Sequence, residues 1–184
     1  IKLDYNYVPK HGTGDATGDG GPGGASTAGQ GNKDSHDITL TGAVPGVEGL
    51  NIGVGYYRAN YDLTGSEDQK EEGTAYATYA YGPLTLGYQL GAVTEQGAAN
   101  AFYKNKYFGV SYAVSDDLSV SYNRTESRKG NAGYTPDAST YDGFSLSYSV
   151  GGMTINMADT DCSNCSYTAA KSQGERTVSL SVAF

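Results

Sequence analysis

The chain has little of what most soluble or helical membrane proteins are built from. Its 184 residues contain no tryptophan, two cysteines, two histidines and five prolines. Only 38% of the residues are hydrophobic, which is poor material for a solid core. No apolar stretch approaches the ~20 residues that a transmembrane helix needs, so helical spanning is excluded. Twelve Lys and Arg stand against twenty Asp and Glu, for a net charge of −8. Arg128-Lys129 is the only basic pair, and a phosphate backbone needs basic patches, so nucleic acid is not an expected partner. Ile1-Lys2-Leu3-Asp4 has neither a basic leader nor an apolar core of a signal. The expectation is a leader already removed, or a chain that begins partway through a longer protein.

What is present is tyrosine, 17 residues, and glycine, 27 residues. That mixture suits many strands joined by Gly-rich turns. A period of two is found in about ten segments, near 1–8, 36–44, 50–61, 73–81, 84–95, 102–114, 118–127, 139–150, 153–161 and 174–184. Leu84, Leu86, Tyr88 and Leu90 alternate with Thr85, Gly87, Gln89 and Gly91. Leu118, Val120 and Tyr122 alternate with Ser119, Ser121 and Asn123, and Phe144, Leu146, Tyr148 and Val150 with Ser145, Ser147 and Ser149. The negative mean hydropathy does not exclude a membrane, because a barrel strand meets lipid only at every second residue.

The connections sort by length. Longer ones (Pro9 to Ser35, Asp62 to Glu72, a medium Gln96 to Ala101, Arg128 to Ala138, Cys162 to Gln173) alternate with shorter ones (Pro45 to Gly49, Gly82-Pro83, Ser115 to Asp117, Gly151-Gly152). An up-and-down barrel across a membrane sorts its loops in this way, short turns at one end and longer loops at the other. Tyr5, Tyr7, Tyr56, Tyr57, Tyr79, Tyr81, Tyr112, Tyr122 and Tyr148 lie mostly toward strand ends, where an amphipathic ring suits the headgroup level. The last segment, Arg176 to Phe184, places Val178, Leu180, Val182 and Phe184 on one face and ends on the aromatic.

In that terminal phenylalanine the chain resembles the Gram-negative outer-membrane general porins. It is most similar to the alphaproteobacterial type, through Ile1–Pro9, Gly53-Val54-Gly55-Tyr56-Tyr57, Tyr79-Ala80-Tyr81-Gly82-Pro83-Leu84 and the closing strand. The resemblance implies a trimeric passive diffusion channel in contact with membrane lipid and lipopolysaccharide. It also implies that Phe184 is part of the signal read by the barrel-assembly machinery. The expected fold is all-β, one domain over residues 1–184, an antiparallel up-and-down transmembrane barrel with about ten strands in this chain. The inward set is dominated by Ser, Thr, Gly and Ala, too small to fill a narrow barrel, so a wider barrel of roughly sixteen strands is expected, of which this is the carboxyl-terminal part. The family's first strands and inward-folded constriction loop have no counterpart here, so ion selectivity is left open.

By parity the pore-lining candidates are Lys2, Asp4, Asn6, Thr39, Thr41, Gln89, Asn105, Tyr107, Asn123 and Asn156. Cys162-Ser163-Asn164-Cys165 has the spacing of a redox or half-zinc motif. A zinc site needs two more ligands, and His11 and His36 are far away in sequence, while a redox pair normally opens a helix. A disulfide stapling an external loop is the expectation, as for an exported protein. Gly12 to Gly24 resembles a phosphate cradle but lacks the following helix and the Lys-Ser/Thr. No resident cofactor is expected. Asp15, Asp19, Asp34 and Asp37, with Glu67, Asp68, Glu71 and Glu72, offer oxygens to a divalent cation, against the simpler reading of solvated acidic loops. Ser35, His36 and Asp37 are consecutive and in a strand alternate faces, so they form no relay and an enzyme is not expected. The alternative to a channel is a small complete barrel serving as adhesin or anchor through its loops.

Overall fold

The computed structural model describes residues 1–9, 31–63, 66–95, 101–130 and 138–182. Ten strands run in chain order: β1 (Lys2–Val8), β2 (Gly31–Ala43), β3 (Leu50–Leu63), β4 (Ser66–Tyr81), β5 (Leu84–Glu95), β6 (Ala101–Ala113), β7 (Leu118–Gly130), β8 (Ser139–Val150), β9 (Met153–Ser163) and β10 (Ser172–Val182). Each pairs antiparallel with its neighbours in sequence, which makes one up-and-down sheet with β1 and β10 at its edges.

The register carries the alternation from strand to strand. Tyr81 faces Leu84, Leu86 faces Val110, Val110 faces Tyr122, Tyr122 faces Phe144, and Leu146 faces Met157. Side chains directly opposite share a face, and a slip of one residue would move a whole strand's apolar set across the sheet. One face is therefore apolar from β1, where Leu3 faces Leu40, to β10, where Leu180 faces Ile155. Among the described residues nothing is layered against it. Leu3, Phe144, Val178 and Leu180 are more than half exposed, and the buried hydrophobic residues are Ala59, Cys162 and Cys165.

Short turns follow from their residues. The β8–β9 hairpin turns on Gly151 and Gly152, both at positive φ (56° and 80°), the pair that a two-residue turn matched to the strand twist demands. At the β6–β7 turn, Ser115 Oγ accepts from the amides of Asp117 (3.3 Å) and Leu118 (3.2 Å), closing the bend through a side chain.

Two expectations are corrected. The connection expected from Asp62 to Glu72 is mostly strand: β3 and β4 continue in register up to Leu63 facing Ser66. The sequence hides this because Glu67 to Glu72 is polar at every position, so no period of two is visible. Cross-strand pairing persists there, with Arg58 facing Glu71 and Tyr57 facing Glu72. That same pairing places Tyr57 on the polar face beside Asp37, away from the other boundary tyrosines. Phe184, His11, the Gly12 to Gly24 stretch and the Asp15 and Asp19 carboxylates lie outside the described residues.

Candidate functional site

The face opposite the apolar one is paved with small and polar residues, and all ten candidates lie on it by register. Lys2 faces Thr41, Thr41 faces Gly53, Gly53 faces Tyr76, Tyr76 faces Gln89, and Gln89 faces Tyr107. A second row runs from Asp4 through Thr39, Gly55, Thr74, Gly91 and Asn105 to Ser127. Asn6 faces Asp37, Asn123 faces Gly143, and Asn156 faces both Ser147 and Ser179.

Cross-strand hydrogen bonds hold many of these side chains along the sheet rather than leaving them free to extend. Asn6 Nδ2 donates to Asp37 Oδ1 (2.8 Å), Gln89 Nε2 to Thr74 Oγ1 (2.9 Å) and Ser127 Oγ to Asn105 Oδ1 (2.5 Å). Ser121 Oγ and Ser145 Oγ bond at 2.6 Å, and Ser149 Oγ and Thr154 Oγ1 at 2.9 Å. Charge on this face is of both signs. Lys2 pairs with Asp4 (2.9 Å) and Lys70 with Glu72 (2.7 Å). Such exposed pairs add little stability but set the local potential.

The polar face also carries residues that parity reading missed. Asp37, Tyr57, Lys70, Glu72 and Tyr76 belong to it by register, as do Lys129 and Glu175. Extending the parity of each apolar segment upward by two to six residues would have found Glu72, Lys70, Lys129 and Glu175, although nothing in the upper segments themselves announces a strand.

The apolar face ends in a belt of charge. On β7 the series Leu118, Val120, Tyr122 continues as Arg124, Glu126, Arg128 on the same face. Arg124 pairs with Asp142 (3.3 Å), Lys106 with Glu126 (3.7 Å), Arg128 with Glu126 (2.9 Å) and Arg176 with Asp159. Three tyrosines on the edge of the apolar zone donate to or meet this belt: Tyr122 to Asp142 Oδ1 (2.5 Å), Tyr56 to Glu71 Oε1 (2.8 Å), and Tyr5, 2.8 Å from His36 Nδ1.

His36 is occupied structurally. Its Nε2 lies 3.0 Å from Asp34 Oδ2, Asn60 Nδ2 donates to Asp34 Oδ1 (3.0 Å), and the Tyr7 ring lies 4.7 Å from the imidazole. Ser35 and Asp37 face Val8 and Asn6 on the other side of the sheet, so the three consecutive residues do not converge. Among the described residues no group of three or more His, Cys, Asp or Glu side chains comes together to hold a metal ion.

Cys162 and Cys165 are joined in a disulfide with Cα atoms 5.7 Å apart. The chain-entropy effect of so small a loop is about 2 kcal/mol, so the bond's consequence is local: it fixes the bend that leads out of β9. The bend continues into a 3-10 turn, Cys165–Tyr167, which rests on β8. Tyr167 Oη lies 2.7 Å from Ser127 Oγ of β7, on the polar face.

No protein-family model matches the chain, and none of the curated proteins matches it in sequence.

Proposed function

We propose that the chain is wall of an outer-membrane β-barrel and forms a water-filled channel for passive diffusion of ions and small hydrophilic solutes. The observation that carries the reading is a ten-stranded sheet, a single layer among the described residues, with one continuous apolar face and one continuous polar face. In water the apolar face would be a patch far larger than soluble monomers expose. Against lipid it is matched, provided the sheet closes so that no backbone edge meets hydrocarbon.

Dimensions agree. On β5 the outward series Leu84, Leu86, Tyr88, Leu90, Ala92 is followed by Thr94. At ~3.3 Å per residue it runs ~26 Å along the strand, or ~20 Å along a barrel axis at a ~40° tilt, close to the apolar band of such barrels. The Tyr5, Tyr56 and Tyr122 hydroxyls, bonded to His36, Glu71 and Asp142 where the apolar series of their own strands gives way to charge, suit rings at a headgroup boundary. Lining by Ser, Thr, Gly, Asn and Gln offers hydrogen bonds to hydrated solutes without tight coordination, which suits broad passage over selective binding. The outward face would lie against membrane lipid and lipopolysaccharide. A wider barrel, trimeric assembly and delivery by the assembly machinery are parts of the same proposal.

Accessibility of single cysteines tests it. In planar bilayers, a Gln89→Cys protein should show unit conductance that steps when a charged, water-soluble methanethiosulfonate is added, and Leu90→Cys should not respond. Insertion without unit conductance would instead favour an adhesin or anchor.

A further inference from the structure

We infer that the β9–β10 connection, residues 164–171, is folded inward as a constriction of the channel at its long-loop end, with Tyr167 as the side chain that holds it there and limits solute size. The inference rests on the channel reading above.

Direction comes first. The connection joins two adjacent strands and needs no contact beyond them. It nevertheless turns over the polar face, resting on β8 and extending the Tyr167 side chain to β7: Tyr167 Oη meets Ser127 Oγ at 2.7 Å, and Ser127 in turn donates to Asn105 of β6 at 2.5 Å. The Tyr167 ring also lies 6.2 Å from that of Tyr103 on β6. With strands ~4.8 Å apart, the reach from β9 to β7 is ~10 Å over the wall.

The backbone has been bent to make that reach. Asn164, Ser166, Tyr167 and Ala170 all take positive φ, 50°, 57°, 59° and 60°. L-residues avoid this region, and it persists where surroundings impose it. Here they do: the disulfide closes the entry, Asn164 Nδ2 donates to Ala138 O (3.2 Å), Ala170 N donates to Asn164 Oδ1 (3.0 Å), and Cys165 N donates to Lys171 O (2.9 Å). Burial gives the third observation. Ser139 (2% exposed), Cys162 (7%) and Cys165 (5%) are buried where the connection rests on β8; Ala59 is the other buried hydrophobic side chain among the described residues. A connection in that position occupies cross-section that solutes would otherwise use.

The test compares the parent with three variants in planar bilayers and in sugar-loaded liposomes: Tyr167→Ala, a Cys162→Ser/Cys165→Ser double variant, and Thr168→Lys. The first two release the connection and should raise unit conductance about twofold and admit larger sugars, because conductance follows pore width. Thr168 is exposed, so Thr168→Lys keeps the fold and should shift the reversal potential in a salt gradient toward anion preference. A parent that inserts but never conducts overturns both this inference and the channel reading. A conducting parent whose three variants match it in conductance, sugar cut-off and reversal potential overturns this inference alone.

Discussion

Leu146→Arg is expected to lower folding stability in phospholipid vesicles by about 2–4 kcal/mol, the cost of an arginine near the bilayer midplane on a barrel's lipid face. Leu146 lies in the middle of the apolar face, opposite Val120 and Met157. Its chain neighbour Ser147 faces Ser119 and Asn156 on the other side of the sheet. Ser147→Arg should therefore fold with little loss, since a guanidinium there stays hydrated, and should change conductance. Urea titration of both variants in vesicles separates the two faces. Equal losses would mean that the two sides of the sheet do not differ in solvent, and the membrane reading would fail.

The second effect is expected on the polar face of the sheet. Gly53 and Tyr76 are register partners, and the tyrosine ring lies across the glycine: a Cβ on Gly53 would sit 2.3 Å from a ring carbon. Real Cβ atoms do not approach so closely, so Gly53→Val must push the ring off the wall toward the open side of the polar face. The expected cost is about 1 kcal/mol, at the low end for overpacking, because the colliding atoms are the far end of a side chain with open space beyond it. Tyr76→Ala in the same chain removes the obstruction and should recover most of that loss, which a double-mutant cycle reads as a coupling of about 0.5–1 kcal/mol. Additive losses would show that the ring is not held against Gly53. If the polar face lines a channel, Gly53→Val should also reduce conductance, and the double variant should restore it.

Both experiments probe an arrangement that was legible in the sequence to different depths. Strand number and face parity were readable because the apolar band imposes them: Leu84 to Leu90 and Phe144 to Val150 alternate strictly, and a side-chain period of two admits one assignment. The ten polar-face candidates follow from that parity alone. Tyr57 was misplaced because two consecutive tyrosines, Tyr56 and Tyr57, must point to opposite faces, and composition cannot say which is which. Pairing of Tyr56 with Ile38 and of Tyr57 with Asp37 decides it. The upper part of β4 was invisible for another reason. Beyond the apolar zone a run such as Glu67 to Glu72 is polar at every position and carries no alternation, and only its pairing with β3 makes it strand.

By itself, then, the amino-acid order determined one all-β chain of ten antiparallel strands, since local periodicity and turn residues such as Gly151-Gly152 act between neighbours in sequence. Tertiary structure alone decided which side chains meet across strands, such as Tyr76 over Gly53. It also decided how far the strands continue beyond the apolar zone, and where the β9–β10 connection goes. Tyr167 and Ser127 are forty residues apart, and no local pattern relates them. Their contact exists because a bend closed by Cys162 and Cys165 turns the chain back over the face that strands β6 to β8 share.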